Sequence, residues 1–494
     1  MHLVPTPTKM EIKSGFYYFD EEPTVKKEIK HSFFTAEGYR LTIDENGVLI
    51  EGGSEKGVYY GEVTLRQIML NYRGLLPYLY ISDEPEFSYR GFMIDSARHF
   101  FSVDEIKKVI DACALFKFNR FHFHLTDDQG FRFEMKEYPL LTEIGSKRRA
   151  SEFSKEENIQ EEYAYFYTKE ELKEIVSYCH ERYIEVVPEF DIPGHTTTLI
   201  AAYPEISCTG EEIEPKTKGG IFSDILCVGN PETKKVVHAV IDEMCEIFDS
   251  KYFHIGGDEV PKTRWVECSK CRAEKEKAGL KNFQELQGYF MNEVSEYLKT
   301  KGKVAICWND ALKGGNLDSK NTVVSLWYER NNRSVEWANN GNRLIVECNM
   351  PLYMDYPYAV NSLEKIYKFR PKKLKGLTEV GANSILGVES PIWTEHVKNI
   401  DELTSMCFPR WLAVAEVAWN GGERKSYKQF FNTVLFYCDI LREMKIAVSK
   451  KDEWAGNPQK KFTQLINYGK RMITPESVSE FLRLQKNELL GGDE

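Results

Sequence analysis

Short apolar runs alternate with longer helix-periodic segments along most of this chain. The apolar runs read as strands: "GFMID", "RFHFHLTD", "EVVPEFD", "YFHIGGDE", "VAICWND", "TVVSLWY", "RLIVECN" and "SILGVESPIW". Between the early ones lie helical patterns such as "SVDEIKKVIDACALFKF", with Ser102 placed as N-cap and Glu105 three residues on. Another is "TKEELKEIVSYCHERY", capped by Thr168. Strand–helix alternation predicts a parallel sheet, and eight such strands predict a closed (β/α)8 TIM barrel, an α/β fold. A doubly wound open sheet is the alternative, but no Gly-rich phosphate fingerprint supports it.

The ends of the chain read differently. "FYYFD", "RLTID" and "GVLIEGG" are strand-like, and "GEVTLRQIMLNY" is helical, so residues 1–86 are expected to form a small α+β N-terminal domain. The charged, Pro-containing "DEPEFSYRG" marks its boundary with the barrel, expected over 87–425. "YKQFFNTVLFYCDIL" and "SVSEFLRLQKNELL" predict a helical C-terminal extension over 426–494.

Composition narrows the classes. At 42% hydrophobic and 29% charged, the 494 residues resemble an ordinary globular protein. The formal charge of −11 argues against nucleic-acid and anionic-membrane partners, which favour basic patches. No run is apolar and long enough to span a membrane, and the N-terminus lacks an apolar signal core. Eleven cysteines, an odd number, favour reduced thiols. Together these make a cytoplasmic setting the expectation. One C-x-x-C occurs, at Cys268 and Cys271, without a second pair at finger-like spacing. It is read as two free thiols in a loop, so no metal and no cofactor are expected.

Candidate chemistry gathers where the strands end, the place where barrel enzymes carry their sites. Those ends supply Asp95, Arg98, Asp127, Asp128, Asp191, His195, Asp258, Glu259, Trp308, Asp310, Trp327, Tyr353, Asp355, Trp393 and Glu395. Singly, each is a helix cap or a core residue; together they describe a binding mouth. Carboxylates, an Arg and indoles suit a sugar, which offers hydroxyls to acids and C–H faces to rings. His122 and His124 on one strand face raise a metal hydrolase as a competitor. Packed, hydrogen-bonded histidines are the simpler reading.

"YRGFMIDSARHFF", "HFHLTDDQGFR", "VVPEFDIPGH", "FHIGGDE" and "GVESPIWTE" resemble the family 20 glycoside hydrolases, the β-N-acetylhexosaminidases. The likeness runs from about Tyr89 to Asn420. It implies an exo-acting retaining enzyme that removes terminal β-linked GlcNAc or GalNAc from a glycan or glycoconjugate. It also implies roles. Glu259 is the general acid/base, Asp258 holds the acetamido group, and Asp127 and His195 relay toward Glu259, with Asp191 in the same surroundings. Arg98, Asp355 and Glu395 bind sugar hydroxyls. Trp308, Trp327 and Trp393 wall the pocket, and Tyr353 hydrogen-bonds the acetamide. Phe131 and Val417 depart from residues frequent in the family.

Adjacency of Asp258 and Glu259 fits this chemistry. Consecutive Cα atoms are about 3.8 Å apart, too close for two carboxylates to bracket an anomeric carbon. The acetamido oxygen of the substrate serves as nucleophile instead, through an oxazolinium-like intermediate. A disaccharide-releasing enzyme on the same scaffold, or a GlcNAc-binding barrel without activity, stays open. A homodimer is also expected to be possible.

Overall fold

The computed structural model describes residues 1–31, 35–72, 74–154, 157–421 and 426–472. The expected helix "SVSEFLRLQKNELL" lies outside them.

The N-terminal unit is a five-stranded sheet. Its strands are β1 (Lys9–Tyr18), β2 (Val25–Ile29), β3 (Tyr39–Asp44), β4 (Gly47–Gly52) and β5 (Leu75–Asp83), in the order β1-β5-β3-β4-β2. A helix, Glu55–Asn71, covers it and starts where the Ser54 hydroxyl accepts the Lys56 N–H. The sequence reading did not single out β2 or β5. β5 alternates buried and half-buried positions; its partners in β1 and β3 are tens of residues away in register, as in Met10↔Ile81 and Leu41↔Ile81, beyond the reach of a local pattern.

Eight parallel strands close the barrel: β6 (Tyr89–Asp95), β7 (Arg120–His124), β8 (Glu185–Glu189), β9 (Tyr252–His254), β10 (Val304–Trp308), β11 (Thr322–Leu326), β12 (Leu344–Val346) and β13 (Ile385–Ile392). β13 pairs with β6 and β7 with β8, so no barrel strand is left unpaired on an edge. Five of the eight are buried along their whole length, and β8, β9 and β13 each have one half-buried position. This explains why they read as unbroken apolar runs rather than as alternation. The expected Ser102–Glu105 capping box forms, and the expected Thr168 cap is completed by Glu171: Glu105 Oε2 accepts the Ser102 N–H, and Glu171 Oε2 accepts the Thr168 N–H, each at 2.8 Å.

After β10 the chain makes only a 3-10 turn, Asn309–Gly314, where a barrel helix is the usual connection. The stretch 349–362 after β12, which the sequence presents as a loop, contains one short turn of helix, Asn349–Leu352, and the helices Leu363–Lys368 and Glu379–Ser384 follow before β13. The C-x-x-C cysteines are not in a loop. Cys268 caps the helix Ser269–Lys277 and Cys271 lies within it, both buried.

Buried ion pairs hold the N-terminal sheet to the barrel. Asp83 of β5 accepts from Tyr39 Oη at 2.8 Å and Trp419 Nε1 at 3.1 Å, and Lys117 Nζ stands 3.4 Å away. Arg90 of β6 pairs with Glu37 at 2.6 Å and donates to Tyr60 Oη at 2.8 Å. The helix Tyr427–Glu443 closes the seam, with Tyr437 Oη donating to the His2 carbonyl at 2.9 Å.

Candidate active site

The barrel interior changes character from bottom to top. Tyr89, Val187, Val304, Ile306, Val323 and Ile345 form an apolar plug. Above it sits a buried polar layer centred on Glu189, the last residue of β8. One of its oxygens lies 2.8 Å from His254 Nδ1 and accepts Trp308 Nε1 at 2.9 Å. The other lies 3.1 Å from His122 Nε2 and also contacts His124 Nδ1. Burial opposes its charge, but His254, His124 and His122 outweigh burial and hold the carboxyl well below the usual range. The "HFH" histidines are thus partners of a carboxylate in the floor of the site. Sequence reading did not select Glu189. Its signal was the inward-facing alternation of His122, His124 and Glu189 on neighbouring strands.

On this floor the expected residues meet at the C-terminal ends of the strands. Asp127 is the hub. Its Oδ2 pairs with Arg98 Nη2 at 2.6 Å and lies 3.0 Å from His124 Nε2, while Oδ1 lies 3.3 Å from His195 Nδ1. Asp128 Oδ2 stands 3.2 Å from the same His195 nitrogen. Arg98 is therefore tied to the relay carboxylate and also donates to Gln129 Oε1 at 2.9 Å. Its guanidinium lies 5.0 Å from the centre of the Trp393 ring.

His195 Nε2 points between the adjacent acids, 3.8 Å from Asp258 Oδ2 and 3.7 Å from Glu259 Oε2. One oxygen of each acid and a His195 nitrogen all fall within 4.8 Å of one another. The backbone makes this possible. Gly256 and Gly257 have φ of +60° and +96°, and Glu259 itself sits at +47°. His195 is also left-handed at +53°. Such values in residues bearing Cβ are strained and are retained where surroundings over-determine them. Here Asp191 supplies one constraint: its Oδ1 accepts the Gly257 N–H at 3.2 Å, and a Cβ at Gly256 would fall 1.6 Å from that oxygen. Asp191 thus shapes the turn that presents the acids.

The aromatic wall is similarly tied down. Trp308 and Trp393 have ring centres 6.1 Å apart, with Tyr353 6.4 Å from Trp393. Trp327 Nε1 donates to Asp310 Oδ2 at 2.8 Å, so Asp310 orients this ring. Asp355 and Glu395 lie close enough to act on each other's charge. Several buried polar atoms here have no protein partner, among them Asp191 Oδ2, Asp258 Oδ1 and Asp355 Oδ1. Unpaired acceptors of this kind suit a ligand rich in N–H and O–H donors.

The acids differ in protonation. Burial pushes Glu259 up to about 8, against the pull of the His195 charge; Asp258 adds to the rise. A third of the Glu259 side chain stays exposed, enough to release and reload a proton. Burial raises Asp258 only to about 6, because His195 offsets it. His195 is raised: burial works against its charge, but Asp127 and its neighbours prevail. Near neutrality the pair therefore holds one proton, on Glu259. If both forms are required, kcat/KM should rise as pH climbs through about 6, where Asp258 ionises, and fall through about 8, where Glu259 loses its proton. Both limbs belong to the coupled cluster. A profile flat from pH 5 to 9 would contradict this assignment.

Residues 87–422 match the family described as "Glycosyl hydrolase family 20, catalytic domain", and residues 20–84 match "Glycosyl hydrolase family 20, domain 2". A Porphyromonas gingivalis protein named "Beta-hexosaminidase" is 38% identical over 414 residues, which cover 80% of this chain and 52% of that one. The chain thus spans about half the length of this curated relative. A solved structure titled "crystal structure of a beta-N-acetylhexosaminidase" superposes with a TM-score of 0.82 at 30% identity, covering 91% of this chain and 97% of that one. A Vibrio harveyi family 20 exo-β-N-acetylglucosaminidase, solved with N-acetylglucosamine, superposes at 0.80 with 25% identity, covering 91% and 78%.

Proposed function

This chain belongs to glycosyl hydrolase family 20, and from that membership we propose that it removes terminal β-linked N-acetylhexosamine from glycans by substrate-assisted, retaining hydrolysis. The observation that carries the reading is the pair of adjacent acids turned toward His195 Nε2, Asp258 Oδ2 at 3.8 Å and Glu259 Oε2 at 3.7 Å. With their oxygens within 4.8 Å, they serve one side of one sugar, and the second face of the anomeric carbon is left to the substrate's acetamido oxygen.

In the first step that oxygen bonds to C1 as the C1–O bond to the leaving group breaks, and Glu259 gives its proton to the departing oxygen. Asp258 accepts the acetamido N–H and stabilises the positive charge on the oxazolinium-like ring. In the second step Glu259, now ionised, takes a proton from water as the water bonds to C1 and the ring oxygen departs. Two inversions give net retention. Arg98, Asp355 and Glu395 bind hydroxyls of the terminal sugar, and Trp308, Trp327, Trp393 and Tyr353 enclose its acetamido end. The proposal extends to both GlcNAc and GalNAc and to a cytoplasmic setting, for which eleven cysteines with none in a disulfide speak.

Aryl β-GlcNAc, β-GalNAc and β-glucoside substrates test the reading together. Hydrolysis of the two acetamido sugars is expected, with the glucoside slower by orders of magnitude because it lacks the internal nucleophile, whose effective molarity in such reactions reaches about 10⁵ M or more. Comparable turnover of the glucoside would overturn it.

A further inference from the structure

We propose that Cys208, Cys227, Cys268 and Cys271 bind a structural zinc ion that staples the loop after β8 to the loop after β9. Neither the family match nor the hydrolytic chemistry enters this inference. One sulfur from each of the four lies within 4.8 Å of all the others. Cys208–Cys271 and Cys227–Cys268 are 3.7 Å apart and Cys227–Cys271 3.6 Å. A disulfide would be about 2.05 Å. A tetrahedral zinc with Zn–S bonds of about 2.3 Å has S···S edges of about 3.8 Å, close to what is seen. Four thiolates leave no open position, which makes the site structural, and a tetrahedral sulfur set selects zinc or iron over harder cations.

The surroundings are built for such a site. Cys227, Cys268 and Cys271 are buried and Cys208 is half-buried. The Cys227 N–H donates to the Ile206 carbonyl at 2.8 Å, and its own carbonyl accepts from the Asn230 N–H and Thr233 Oγ1 at 3.0 and 2.8 Å. Gly229 passes so close to the next loop that a Cβ would fall 2.2 Å from the Lys270 carbonyl oxygen and 2.7 Å from the Cys271 nitrogen. Cys268 occupies the N-cap position of the helix Ser269–Lys277, and Cys271 lies in its first turn.

The position gives the site its consequence. The Leu226 N–H, next to Cys227, donates to the Pro193 carbonyl at 3.1 Å, two residues before His195. The Leu226 carbonyl accepts Trp265 Nε1 at 2.9 Å, from the segment that joins Glu259 to Cys268. A metal on the four sulfurs would therefore hold the His195 loop and the Asp258–Glu259 loop in one register.

The test is metal analysis of the full chain, purified without a metal column from zinc-supplemented cells. About one zinc per chain is expected after gel filtration in EDTA, released when an organomercurial titrates the thiols. Cys271→Ser should lose it, whereas Cys113→Ser, a buried thiol elsewhere, should keep it. In the wild-type protein, mass mapping should show all four cysteines shielded from alkylation until the metal is displaced, a readout that does not depend on a variant folding. Wild-type protein with less than about a tenth of an equivalent of zinc would overturn the proposal. So would iron in its place, or peptide masses showing disulfides among the four.

Discussion

Glu259→Gln is expected to lower kcat by roughly 10²–10⁴-fold on a natural glycan, the range general acid–base catalysis supplies. The amide keeps the shape of the side chain and removes the transferable proton. The loss should shrink on an aryl substrate whose leaving group is a stable anion, because that group departs without protonation. It should be large again wherever the second step limits the rate, since the amide is not a base. The descending limb of the pH profile near 8 should vanish with the carboxyl that produces it. Equal losses on good and poor leaving groups, with the limb retained, would remove Glu259 from the acid role.

Asp258→Asn is expected to cost about 10²–10³-fold in kcat, the cost of removing one preorganised charge-stabilising group. The amide cannot neutralise the growing positive charge, and its NH₂ can face the acetamido N–H donor to donor. A second readout separates this from a folding defect. Asp258 helps to raise the Glu259 carboxyl, because a nearby negative charge disfavours a second one. Neutralising Asp258 should therefore lower the Glu259 value, and the basic limb should move toward lower pH. The acid limb near 6, which reports Asp258 ionisation, should disappear. Rates close to wild type, or a basic limb shifted upward, would contradict the division of labour between the two acids.

Much of the scaffold was legible along the chain because its signals are local. The barrel strands are mostly buried and rich in apolar residues, and polar residues gather toward the end where the strand meets the mouth, as in "VVPEFD" and "YFHIGGDE". The Ser102 and Thr168 caps are written within four consecutive residues. The residues selected for the site lie at the ends of the barrel strands or in the loops that follow, with His195 and Tyr353 well beyond the ends of β8 and β12. Less legible was how they contact one another. Asp127 was read as a relay toward Glu259, and it also anchors Arg98; Asp191 was read as polar surroundings, and it fixes the Gly257 turn. Those duties depend on loops from different strands meeting, which no spacing encodes.

The cysteines mark the limit most clearly. A C-x-x-C without a matching pair looked like free thiols because zinc ligands are sought at regular spacing. Cys208 and Cys227 stand 63 and 41 residues from their sulfur neighbours Cys271 and Cys268. Only the parallel pairing of β8 with β9 brings the loops that carry them together. The amino-acid sequence by itself determined the eight strands, their order and the set of side chains at the mouth, since burial and capping act over a few residues. The tertiary structure alone decided the Glu189 floor, the left-handed turns at His195 and Glu259, the unequal protonation of the adjacent acids and the four-sulfur cluster. Each of these comes from distances of a few ångströms between groups far apart in the chain, and Coulomb forces, desolvation and metal geometry act over those distances.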